Sequence, residues 1–140
     1  MGVEVEVEVE VVVSSEADIV RARQQGRALA QQAGFTGTDL ALIATAISEA
    51  ARNILEYAKK GEVFLRIIHQ GETRGLSVEA QDKGPGIPDI PLAMQDGYST
   101  GKGLGMGLPG MRRLMDQFEI RSTIGSGTTV KMSKWTRGHG

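Results

Sequence analysis

The amino-acid sequence predicts an α/β protein, a two-layer sandwich in which a mixed, mostly antiparallel sheet of about five strands carries three helices on one face. Three observations lead there. The chain opens on Val3–Val13, where valine and glutamate alternate with a period of two, as in a strand with one buried face. Two long segments, Ser14–Ala33 and Thr38–Ala58, place apolar residues at the 3.6-residue spacing of one helix face. Two further stretches, 62–81 and 119–133, each hold a pair of β-rich runs joined by a turn containing glycine, the pattern of a hairpin.

The elements follow in order. In the first strand valine lies on one face and glutamate on the other, and a glutamate row toward water suits an edge strand because it discourages pairing with a second molecule. Ser15 is the predicted N-cap of the first helix, with Asp18 where a capping box has Glu or Gln. That helix runs to Ala33, with Ile19, Ala22, Gly26, Leu29, Ala30 and Ala33 inward, Arg21, Arg23, Gln24 and Arg27 solvated, and Gly34 as the stop. The second helix opens at Thr38-Asp39 and buries Leu40, Ile43, Ile47, Ala51 and Ile54. Glu49 and Asn53, one turn apart, share another face with Ala46 and Ala50, whose small side chains leave room for a ligand. Lys59-Lys60-Gly61 closes the helix, with positive charge at the negative end of its dipole. Strands over 62–70 and 75–81 flank a turn at 71–74, and Asp82 stands where the second gives out. A third helix is predicted over Leu108–Phe118, and a closing hairpin pairs 119–124 with 128–133 across Gly125-Ser126-Gly127.

A chain of 140 residues and 15.0 kDa fits a single domain over 1–140, with 1–13 as its edge strand and 136–140 as a loose tail. At this size roughly two-thirds of the unfolded surface is buried on folding, enough for a core without staples. Cysteine is absent, which removes disulfides and thiolate metal sites and agrees with a reducing cytoplasm. No apolar run approaches the roughly 20 residues of a membrane helix, and the N-terminus alternates glutamate where a signal peptide is apolar, so no membrane partner is expected. Glu6 stands where a myristoylation site has Ser or Thr. A net charge of −1 argues against a general nucleic-acid binder. The two histidines, His69 in a strand and His139 in the tail, do not form a metal site.

One stretch stands apart from these elements. From Asp82 to Gly110 glycine recurs at 84, 86, 101, 103, 105, 107 and 110, giving a backbone that can lie against a ligand without a Cβ in the way. The bare amides and the dipole of a helix beginning near Leu108 would add partial positive charge at the same place, which suits phosphate.

Four pieces then stand in one order: Glu49–Asn53 on a helix, Asp82–Gly86 after a strand, Gly101–Gly107 before a helix, and Gly125–Thr129 in a final hairpin. That order resembles the nucleotide boxes of the GHKL superfamily of ATP-binding proteins, which includes gyrase-type ATPases, Hsp90, MutL, sensor histidine kinases and anti-sigma factor kinases. Within it, the strings Ala44–Asn53, Gln81–Ile90, Asp96–Thr100 and Gly103–Asp116 are similar to the RsbT family of serine/threonine switch kinases of the bacterial stressosome. The resemblance covers Glu16 to Trp135; the valine-glutamate start departs from the family pattern. It implies a Bergerat-type sandwich that binds ATP with Mg²⁺ and phosphorylates a serine or threonine of a STAS-domain scaffold or antagonist. It also implies that the released kinase activates a metal-dependent serine phosphatase.

The resemblance also implies roles for residues. Asn53 offers a neutral amide oxygen to Mg²⁺, which takes one or two protein ligands and fills its octahedron with water and phosphate oxygens; the competing account is a solvated helix Asn. Glu49 is the base that takes the hydroxyl proton, against a surface Glu paired with Arg52. Asp82 reads the exocyclic amine of adenine and so selects ATP over GTP, against a simple turn Asp ahead of Gly84. Gly84, Gly86 and Ile87 run alongside the base, and Thr128 adds a hydroxyl near the amine, against an ordinary strand Thr. Lys102, Gly103, Leu104, Gly105, Met106, Gly107 and Leu108 form the phosphate lid. The lid from Ile90 to Thr100 is short, and no segment carries the phosphorylated His of a sensor kinase. Two other readings stand beside this one: a non-catalytic anti-sigma factor or phosphatase-activating module that holds ATP as a structural ligand, and plain ATP hydrolysis.

Overall fold

The computed structural model describes residues 2–94 and 107–136. The elements run β1 (Glu4–Val13), α1 (Glu16–Ala33), α2 (Gly37–Ala58), β2 (Gly61–Gln70), β3 (Thr73–Asp82), α3 (Ile90–Ala93), α4 (Gly107–Leu114), β4 (Gln117–Thr123) and β5 (Gly127–Trp135). The five strands form one sheet in the order β1-β2-β3-β5-β4, and every pairing is antiparallel. Helices α1 and α2 pack on one face and α4 packs against α2. Between the layers lies a core that includes Ile43, Ile47, Ile54, Val63, Leu65, Val78, Met111 and Met132. The predicted inward stripe of α2 is buried as expected: Leu40, Ile43, Ile47, Ala51 and Ile54 are all at most 6% exposed.

Local differences from the sequence reading have identifiable causes. The alternation of β1 does not carry through in space. A register shift between Val5 and Val7 pairs Val5 with Ile68, on the sheet face away from the helices, and leaves Val3 and Val5 about half exposed. The glutamates of β1 do not simply face water: Glu4 pairs with His69, Glu6 with Arg74 and Glu8 with Arg66. Ser15 occupies the N-cap position without a side-chain cap bond; Asp18 reaches back to the Ser14 amide instead, at 2.9 Å. Helix α2 begins at Gly37, one residue before the predicted start. The short helix α3, capped by Asp89 Oδ1 on the Leu92 amide, lies within a stretch that composition marks only as lid.

The third helix ends at Leu114, not Phe118. The reason is tertiary. The Asp116 amide donates to the Ser133 carbonyl and Gln117 pairs with Ser133, so the chain is already joining the sheet. Lys134 Nζ donates to the Leu114 carbonyl at 3.0 Å and satisfies the helix end. Phe118 continues the apolar spacing of the helix but serves as an inward residue of β4, packed against the core.

Candidate functional site

The site grows from α2. Its buried stripe fixes the helix on the sheet, and a neighbouring face then points along the layer boundary toward the end of β3. Glu49 on that face is only 5% exposed, and its Oε1 accepts from Arg52 Nη1 at 2.7 Å. The pairing with Arg52 is therefore real, but the carboxylate is buried and not a surface group. One turn on, the Asn53 side chain has its Nδ2 buried without a hydrogen-bond partner among the described residues. A buried amide nitrogen left unpaired costs on the order of 1–3 kcal/mol, which singles this group out within the layer boundary. Rotation of the amide by half a turn presents Oδ1 at the same point, and an amide oxygen is a suitable hard donor for Mg²⁺. No group of three or more His, Cys, Asp or Glu side chains able to hold a metal occurs among the described residues.

Opposite Asn53, Ala50 and Tyr57 of α2, the cleft is lined by Ala80 and Asp82 of β3, Ile87, Leu108 of α4, and Thr128 and Val130 of β5. Between these side chains lies a space of about 10 Å³, room for about one water. Asp82 is the last residue of β3 and pairs with both Gly61 and Thr128. Its Oδ1 accepts from the Gly84 amide at 2.9 Å and from the Thr128 amide at 3.2 Å. The turn account of Asp82 thus describes one of its oxygens. Gly84 packs so closely on α2 that an added Cβ would stand 2.7 Å from Ala58 Cβ. Gly86 has φ +85° and the Gly125 amide donates to the neighbouring Pro85 carbonyl.

The structure brings Asn53, Asp82, Ile87, Leu108 and Thr128 to one cleft, with Glu49 one turn away on α2 and Gly107 opening α4. Lys102, Gly103, Leu104, Gly105 and Met106 lie outside the described residues, as do Asp96–Thr100 of the predicted lid. Two residues make site contacts that the sequence does not show, Gly127 of the predicted hairpin turn and Ser122. Gly127, at φ +120°, lies against the Asp82 carbonyl so tightly that an added Cβ would come within 2.0 Å of that oxygen. Ser122 accepts from the Ile87 amide at 2.6 Å and bonds the Thr128 hydroxyl at 2.8 Å. Only the β4–β5 register, which pairs Ser122 with Thr128, reveals the latter.

An antiparallel sheet under two long helices, with an amide on one of them facing an aspartate at a strand end, defines a class. The pattern of the histidine kinase-like ATPase domain matches residues 12–134, and the chain belongs to that family. The serine/threonine-protein kinase RsbT of Bacillus subtilis (strain 168) is 50% identical to it over 127 residues, covering 91% of this chain and 96% of that protein. An anti-sigma F factor of Thermoanaerobacter sp. (strain X514) is 36% identical over 120 residues, covering 81% and 82%. Among solved structures, the RsbU and RsbW domains of a Mycobacterium tuberculosis protein superpose with a TM-score of 0.59 at 21% identity, over 92% of this chain and 32% of that one. That likeness shows the GHKL-type fold.

Proposed function

We propose that this chain is an ATP-dependent serine/threonine-protein kinase of a partner-switching stress-signalling pathway. Its substrate is a STAS-domain scaffold or antagonist, it works in the cytoplasm as a single domain, and on release it also activates a metal-dependent serine phosphatase. One observation carries the reading: the buried Asn53 amide, unpartnered among the described residues, faces the Asp82 cleft, one helical turn from a buried carboxylate. Half identity to a serine/threonine-protein kinase along nearly the whole of both chains supports it.

Each residue then has a task. With Oδ1 occupied by two amides, Asp82 turns Oδ2 to the exocyclic amine of adenine. Ile87 and Leu108 close on the faces of the base. A bound Mg²⁺ supplies positive charge to the phosphate oxygens, and Asn53 is the residue that would hold it. Amides of Gly103, Leu104, Gly105, Met106, Gly107 and Leu108 receive the phosphates, assisted by Lys102 and by the N-terminal end of α4. Arg52 holds Glu49 through Oε1, and its other oxygen takes the proton of the incoming hydroxyl as the phosphoryl group leaves ADP.

The likeness to an anti-sigma F factor favours a second reading, a binding module for which ATP is a structural ligand. Purified protein, radiolabelled ATP with magnesium and a candidate STAS partner separate the two. The kinase reading predicts label on a serine or threonine of the partner, lost in Glu49→Gln. Absence of label with intact regulation of the partner favours the module, and free phosphate without a partner favours hydrolysis.

A further inference from the structure

We propose that Ser122 is a specificity-determining residue: its hydroxyl sets the direction in which the Thr128 hydroxyl bonds, and so prepares the purine site for adenine's amine and against guanine's carbonyl. The inference rests on the nucleotide reading above and assigns a residue which that reading does not use.

Ser122 stands in β4 directly across from Thr128 of β5, and both project to the cleft side of the sheet. Three contacts meet at its Oγ. The Ile87 amide donates to it at 2.6 Å, the Gly127 carbonyl stands at 3.3 Å, and Thr128 Oγ1 stands at 2.8 Å. A hydroxyl has one proton to give and two lone pairs with which to accept. The amide takes one lone pair, because a backbone N–H can only donate. A carbonyl can only accept, so the contact to Gly127 uses the single Ser122 proton. Thr128 must then be the donor in the remaining contact, and its proton fills the second Ser122 lone pair. This is the one assignment in which all three contacts are hydrogen bonds; if Ser122 donates to Thr128 instead, the Gly127 contact is lost.

The consequence lies at the cleft wall. With its proton committed to Ser122, Thr128 Oγ1 offers only lone pairs to a ligand. The neighbouring Asp82 carboxylate is likewise an acceptor, and the Thr128 amide is already spent on Asp82 Oδ1. Two acceptors side by side match an exocyclic amine. They oppose the carbonyl that guanine carries at that position, because its oxygen would be desolvated against the lone pairs of Thr128 and Asp82. Removing the Ser122 hydroxyl frees the Thr128 proton to turn into the cleft, where it can serve guanine.

The test reads a ratio. ATP and GTP, each with magnesium, are titrated against a fluorescent ATP analogue bound to the full chain, for the native protein, Ser122→Ala and Ser122→Thr. The expected result is that Ser122→Ala lowers the preference for ATP over GTP by roughly tenfold, the scale of one neutral hydrogen bond. Ser122→Thr, which keeps a hydroxyl in a strand-compatible side chain, restores it. A merely structural Ser122, holding the Ile87 loop, would lower both affinities together and leave the ratio unchanged, which overturns the inference. So would an equal loss of preference in Ser122→Thr, or a native protein without preference. If Ser122→Ala does not fold, Thr128→Val deletes the other hydroxyl of the pair and must lower the same ratio; an unchanged ratio there overturns the inference too. A native protein that binds the analogue yet fails these tests refutes Ser122 alone, whereas one that binds no adenine nucleotide refutes the kinase reading beneath it.

Discussion

A carboxylate that is 5% exposed and held by an arginine at 2.7 Å can be a structural ion pair or a base waiting for a proton, and the two behave differently on substitution. If Glu49 takes the hydroxyl proton, Glu49→Gln keeps size and most hydrogen bonding but loses basicity. Phosphate transfer to the partner should then fall by roughly 10²- to 10⁴-fold while ATP affinity stays within about threefold. A filter-binding assay beside the transfer assay checks both. Gly127 carries a second residue-scale prediction. A side chain there meets the Asp82 carbonyl on a backbone at φ +120°, so Gly127→Ala should destabilise the fold by about 1–3 kcal/mol. Thermal melting measures this, and nucleotide affinity should fall with it because Asp82 is displaced. The identities of Asn53 and Asp82 are open to view in the sequence. The orphaned state of one and the two amides on the other are not, because both depend on what other elements bring beside them.

Helix α2 joins stability to chemistry. Its inward stripe bears the packing and the adjoining face bears Glu49 and Asn53, so a cavity in the first disturbs the second. Ile47 is fully buried, and Ile47→Ala should cost about 2–5 kcal/mol, read as a lower urea midpoint. On the opposite face of the sheet, Arg66 joins Glu8 of β1 and Glu79 of β3, with Nη1 to Glu79 Oε1 at 2.7 Å. Burial opposes ionisation of Glu79, but hydrogen bonds from Arg66 and Gln81, then the charges of Arg66 and Lys131, outweigh it and hold its carboxyl below the usual 4.5. A lowered folded value means that the contribution is present above 4.5 and is lost as pH falls through the folded value. Glu79→Gln should therefore flatten the decline of stability below that pH, by about 1 kcal/mol or less given the solvent nearby. Denaturant melts between neutral and acid pH check it.

Element types were readable because each rests on a local period: two in β1, 3.6 in α1 and α2, and glycine turns in both hairpins. Where the reading slipped, the deciding contact came from far along the chain. Phe118 fits the apolar spacing of α4, yet Ser133 had already claimed Asp116 and Gln117 for the sheet. Val5 fits the period of β1, yet the register against β2 turns it to the other face. Ser122 has no mark in the sequence at all; it matters only because β4 pairs with β5 in one register.

At the scale of the whole molecule, segments from Ala50 to Val130 close on one cleft, with the sheet as floor and α2 and α4 as walls. Between these walls the folded chain holds a space of about 10 Å³. A ligand that holds this state and not the unfolded one stabilises it by mass action, about 2.7 kcal/mol at a hundred times its dissociation constant. Magnesium and ATP should thus raise the melting temperature, and Asn53→Ala should lose most of the rise that magnesium adds. Differential scanning calorimetry with and without magnesium separates that term from adenine binding.

Isothermal titration of magnesium and ATP into the full chain, beside Asp82→Asn, tests the central claim most directly. The account predicts saturable uptake of one nucleotide per chain and at least about tenfold weaker uptake by the variant, whose amide no longer offers a charged acceptor to the purine amine. Well-folded native protein that takes up neither ATP nor ADP, or an Asp82→Asn variant that binds ATP as the native chain does, would contradict it.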